Sequence, residues 1–252
     1  MAVAAGAETL ALSRPLRSRL CRAITAGRLR NSSLGGILDL IIRSMRLAQV
    51  IVSSSGSSHP MLIIATLLWL VIVGCGVGVL FEYAATPGAG GNPPARWPGG
   101  HLLAAPRDKP VLVMIAHPQC PCTRASLSEL AKIMSGRQSK LKAYVLFFKP
   151  PGFAELWTQS DLWQIASSIP GVTAVADSGG EEAERFHVTT SGHTLLYDRN
   201  GRLAFSGGIT GARGHAGDNQ GTDLVLYSID QGKESKRCTA VFGCPIRTAS
   251  GQ

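Results

Sequence analysis

Residues 116–126 read AHPQCPCTRAS, with Cys120 and Cys122 separated by one proline and His117 upstream of the first thiol. Two thiols this close can form a redox pair, clasp a soft metal ion, or simply be packed as small apolar side chains. Proline suits the first position of a helix, where its missing N–H would have no partner anyway. With Pro121 at that position, Cys120 becomes the N-cap and Cys122 falls in the first turn. Unpaired backbone N–H groups and the positive end of the helix stabilise a thiolate there and lower its pKa. The chemistry on offer is that of nucleophilic sulfur.

The elements around the motif follow from hydrophobic period and punctuation. VLVMIA (111–116) is a continuous apolar run fit for a buried parallel strand. The helix after it carries Leu127, Leu130, Ala131 and Met134 at helical spacing. LKAYVLFF (141–148) reads as a strand, and SDLWQIASSI (160–169) as a helix with a capping serine and a stop at Pro170-Gly171. A weaker strand at 172–176 precedes a short helix at 181–188 with acids in its first turn. TLLYDRNGRLAFSG (194–207) reads as a hairpin through Asn200-Gly201, and a last helix is expected over 223–231. The predicted order, β-α-β-α-β-α-β-β-α, makes an α/β fold whose mixed sheet is flanked by helices on both faces.

VLVMIAHPQCPCTRASLSEL, followed by EEAERFHVTTSGHTLLYDRNGRL, resembles the thioredoxin-like superfamily, above all its membrane-anchored extracytoplasmic members. The resemblance covers roughly residues 107–232, and more narrowly the chain looks like bacterial proteins described as RedB-like. It implies a thioredoxin-like mixed sheet and a thiol–disulfide activity toward a protein partner. Two features depart from the usual pattern. The spacing is C-x-C in place of C-x-x-C, and His193 fills the position of the superfamily's cis-proline. A trans peptide is expected before His193, because a cis bond ahead of a non-proline residue is costly.

The resemblance also implies that the loop carrying His193 faces the cysteine helix. In this the chain is similar to the SCO-type copper proteins, in which two loop cysteines and a histidine hold the metal. The copper alternative would use Cys120, Cys122 and His193, with His117 a possible fourth ligand, since thiolates and imidazole suit that ion. The redox alternative needs no cofactor. There Cys120 is the nucleophile and Cys122 its resolving partner; a disulfide closed across a single residue is strained and readily reduced.

Two further regions bear on the site. The glycine-rich loop GGITGARGHAGDNQG (207–221) carries Arg213 and His215, which could orient a substrate over the active helix. Cys238 and Cys244 read either as a structural disulfide closing a short C-terminal loop or as a second dithiol that exchanges with the first.

Composition places the domain. Residues 61–81 run 21 positions without a charge, long enough for a membrane-crossing helix, here set at 61–83. Of the net charge of +9, +6 lies in the first 60 residues, which carry eight arginines and no lysine. Basic residues beside a span mark its cytoplasmic side. The reading is therefore a basic cytoplasmic tail (1–60), one span, a Gly/Pro-rich linker (84–106) and a domain (107–252) outside the cytoplasm, periplasmic in a Gram-negative cell. The high pI is a topology signal, and no nucleic-acid-binding motif accompanies the arginines.

Overall fold

Six consecutive apolar residues with no polar alternation call for a strand covered on both faces, and Val111–Ala116 (β1) is the central, wholly buried strand of the sheet. The computed structural model describes residues 43, 60–99, 102–232 and 238–246. Apart from Arg43 and Pro60, the expected basic tail lies outside these residues.

Pro60–Ala85 forms helix α1, with a mean hydropathy of 2.6 over its most apolar stretch and no buried residue. Its 26 residues rise about 39 Å, enough to cross a bilayer's hydrocarbon core.

The domain continues with α2 (Pro121–Met134), β2 (Lys142–Lys149), a 3-10 turn (Glu155–Trp157), α3 (Asp161–Ser168), β3 (Val172–Ser178), α4 (Glu181–Arg185), β4 (His193–Tyr197), β5 (Leu203–Gly208) and α5 (Gln220–Gln231). The sheet order is β3-β2-β1-β4-β5. β1, β2 and β3 are parallel, and β4 runs antiparallel to both β1 and β5. This is the thioredoxin-like mixed sheet with flanking helices that the sequence led us to expect.

Alternate residues of β1 feed two cores, as the two-residue period of a strand requires. Leu112, Met114 and Ala116 pack with Leu127, Leu130 and Ile133 of α2, Leu162 and Ala166 of α3, and Val225 of α5. Val111, Val113 and Ile115 pack on the opposite face with Ala183 of α4, Phe186, Tyr197 and Leu103. The hairpin turns at Asn200-Gly201 as expected, with Gly201 at a φ of 69°. Its loop is longer than a two-residue turn because Asp198 Oδ1 accepts the N–H groups of both Asn200 and Arg202.

Two segments depart from the expected plan. The first lies within the expected linker, 84–106. Residues 88–97 lie along the domain: Asn92 N–H donates to the His187 carbonyl, Leu203 N–H to that of Ala95, and Tyr197 Oη to that of Pro94. The Trp97 ring stands edge-on to Phe186 and Tyr197, at centroid distances of 5.3 and 5.2 Å. Gly/Pro composition marks an absence of regular structure, and this stretch packs without any.

The second is the C-terminal segment, 238–246. It crosses the end of β5, where a side chain at Gly207 or Gly208 would lie 2.1 Å from Thr239 Oγ1 or 2.4 Å from the Ala240 carbonyl. It then joins the loop before β4 through Ser191 N–H to the Cys244 carbonyl (2.9 Å) and Ile246 N–H to the Thr189 carbonyl (2.7 Å). Val241 and Ile246 are buried. The expected pairing of Cys238 with Cys244 is not made: Cys244 is a free thiol.

Candidate functional site

β1 ends at Ala116 and hands the chain to His117, whose carbonyl accepts the N–H of Cys120 at 3.1 Å. That turn sets Cys120 in extended conformation as the N-cap of α2, with Pro121 at the first helical position. Cys122 follows in the first turn, and both cysteines are buried. The local geometry is the one the Cys-Pro-Cys sequence implies.

The neighbour of Cys120 comes from 124 residues further along the chain. Cys244 Sγ lies 2.9 Å from Cys120 Sγ. Cys122, in the first turn of the same helix, is close enough for the charge of Cys120 to act on its thiol.

Their ionisation is unequal. Burial opposes a thiolate at Cys120, but the neighbouring Cys244 thiol and the backbone N–H groups of Cys244, Cys122 and Thr123 near the sulfur favour it, and the balance falls below the ordinary thiol value. Cys122 is pushed up by burial and then by the charge of the neighbouring Cys120, against the guanidinium of Arg213 and the backbone of Gly214. Burial, the hydrogen bond to Cys120 and the charges of its two neighbours push Cys244 up to about 12, again against Arg213. One thiolate is favoured, and its place is Cys120.

Of the two loop residues proposed to orient a substrate, the structure brings one to the site. Arg213 acts electrostatically on Cys122 and Cys244, and its Nη1 donates to the Gly243 carbonyl at 2.7 Å. His215 is exposed and turns within its own loop, its N–H on the Ala212 carbonyl.

His193 is elsewhere. It belongs to β4, opposite Gly208 of β5, and its buried ring places Nε2 2.9 Å from Ser206 Oγ. Its Nδ1 is buried with no hydrogen-bond partner among the described residues, and burial lowers its pKa to about 4, so the ring is neutral. The peptide before it is trans, as expected. His117 Nδ1 accepts the N–H of Gln119, and its ring stacks on Phe148 and meets Trp157 edge-on. Among the described residues, no group of three or more His, Cys, Asp or Glu side chains is arranged to hold a metal ion.

Sequence reasoning missed two residues that build the site. Ser191, two positions before His193, is the loop residue that faces the cysteine helix. Its Oγ accepts the His117 N–H and lies 2.9 Å from Thr123 Oγ1. Glu129, only 1% exposed, accepts from Gly217 N–H, Asn219 Nδ2, Thr222 Oγ1 and Lys132 Nζ, and so ties the glycine-rich loop to α2. Its signal was in the sequence: Cys122, Ser126, Glu129 and Ile133 share one stripe of the helix, and a carboxylate there must be buried and needs donors.

No protein-family model and no curated protein matches the chain. Solved structures do. A hypothetical protein from Sinorhizobium meliloti 1021 is similar at 18% identity and a TM-score of 0.48, over 67% of this chain and 99% of its own. An uncharacterized conserved protein from Geobacillus kaustophilus is similar at 15% identity and a TM-score of 0.47, over 65% and 92%. A secreted disulfide oxidoreductase of Mycobacterium tuberculosis is similar at 14% identity and a TM-score of 0.37, over 50% and 83%.

Proposed function

We propose that this chain is a membrane-anchored thiol–disulfide exchange protein whose attacking sulfur is Cys120. The observation that carries the reading is the setting of that sulfur: a buried N-cap cysteine whose Sγ lies 2.9 Å from the Sγ of Cys244 and whose thiol is held below its ordinary pKa. A thiolate held there attacks a client disulfide, forming a mixed disulfide and releasing the client's other sulfur as a thiolate. A second thiol then closes the cycle, and Cys122 is the candidate that the sequence supplies.

Helix α1 is the anchor in this reading, and the arginine excess before it supports a domain outside the cytoplasm. The client is a protein cysteine pair in that compartment. The test is exchange with oxidised glutathione by the intact protein in detergent. Cys120→Ser abolishes uptake of glutathione at the site; a Cys120→Ser protein that exchanges as fast as the wild type removes Cys120 from the mechanism.

A further inference from the structure

We propose that Cys244 is the thiol that resolves the mixed disulfide on Cys120, delivered by a C-terminal segment docked on the loop before β4. The inference rests on the exchange reading above and names the partner of Cys120 within it.

Three observations support it. The Cys120 and Cys244 sulfurs are already 2.9 Å apart, within about 1 Å of the roughly 2.05 Å disulfide bond length. A bond between them closes no small ring, whereas one between Cys120 and Cys122 spans a single residue and is strained. The segment is also built to present Cys244. Backbone bonds hold it on both sides, at Ser191–Cys244 and Thr189–Ile246, and Arg213 grips the carbonyl of Gly243. Gly243 is required by close approach, since a Cβ there would sit 1.9 Å from the Ser191 carbonyl oxygen.

The steps balance. The Cys120 thiolate attacks a client R–S–S–R′, making Cys120–S–S–R and releasing R′–S⁻. The Cys244 thiol gives its proton to R′–S⁻ and attacks Cys120 Sγ, making the Cys120–Cys244 disulfide and releasing R–S⁻. The client gains two electrons and the protein dithiol loses two. Electrostatics order the events. While Cys120 is a thiolate, its hydrogen bond and charge add to burial in keeping Cys244 protonated; once Cys120 is in a neutral mixed disulfide, that added opposition ends, and the field of Arg213 is left to favour ionisation against burial.

The test treats the reduced, intact protein in detergent with oxidised glutathione, blocks remaining thiols with N-ethylmaleimide and maps the bonds by mass spectrometry. The wild type gives a Cys120–Cys244 link with no lasting glutathione on Cys120. Cys244→Ser accumulates glutathione on Cys120, and Gly243→Ala, which keeps every thiol, shifts the product the same way. A Cys120–Cys122 bond in the wild type, or a Cys244→Ser protein that clears glutathione as fast as the wild type, overturns the inference and leaves the exchange reading standing. A Cys120 that takes up no glutathione and enters no disulfide overturns the exchange reading itself.

Discussion

Ser191 donates its backbone N–H to the carbonyl of Cys244 while its hydroxyl accepts the N–H of His117, so one serine ties the C-terminal segment to the start of the cysteine helix. The same hydroxyl lies 2.9 Å from Thr123 Oγ1, inside the first turn of α2. Ser191→Ala removes the partner of the half-buried His117 N–H and one of two partners of the buried Thr123 hydroxyl, which keeps the His117 carbonyl. The expected loss is about 2 kcal/mol of unfolding free energy, read from urea denaturation, because an unsatisfied buried polar group costs its full desolvation.

Glu129 should matter more. Its carboxylate is buried and takes hydrogen bonds from four groups, three of them in or beside the glycine-rich loop. Glu129→Ala leaves the Gly217 N–H without its acceptor and takes one acceptor from each of Asn219 Nδ2, Thr222 Oγ1 and Lys132 Nζ, and we expect a loss of about 3 kcal/mol by denaturation. Faster amide exchange at Gly217 should accompany it, since that N–H loses its acceptor directly.

The stretch 88–97 makes a different prediction. Trp97 packs edge-on against two aromatic rings of the second core, so Trp97→Ala should destabilise the domain by about 2 kcal/mol. A freely moving linker would give no change in the thermal midpoint.

His193 gives the fold a pH dependence. The unfolded residue protonates near pH 6.5, and the buried folded residue only near 4. In that window the unfolded chain binds the additional proton, so stability rises with pH. Its contribution is complete above about pH 6.5 and is lost as pH falls toward 4, on the order of 3 kcal/mol in all. Urea denaturation between pH 7 and pH 4 should show this slope, and His193→Gln should flatten it.

How much of this was legible in the sequence depends on the range of the interaction. β1, α2 and the Cys120 N-cap were readable because apolar period, Pro121 and helix-end chemistry act within a few residues. The placing of His193 was not. Whether the position before a strand points to the cysteine helix or into the strand pair is set by register with β5, where His193 faces Gly208. Ser191 took the role expected of it. The pairing of Cys238 with Cys244 was the natural local reading of two close cysteines, and it failed because Gly207, Gly208 and Gly243 let the segment cross the domain and bring Cys244 to Cys120. Contacts between distant segments leave no local pattern, although the bare glycines mark where such crossings are permitted.

The measurement that reaches the central claim most directly is the pH dependence of alkylation at each cysteine in the reduced, intact protein, followed by mass spectrometry. Cys120 should reach its half-maximal rate below the value of an unperturbed thiol, and before Cys122 or Cys244. A Cys120 that titrates at or above that value, or after either neighbour, would contradict the account.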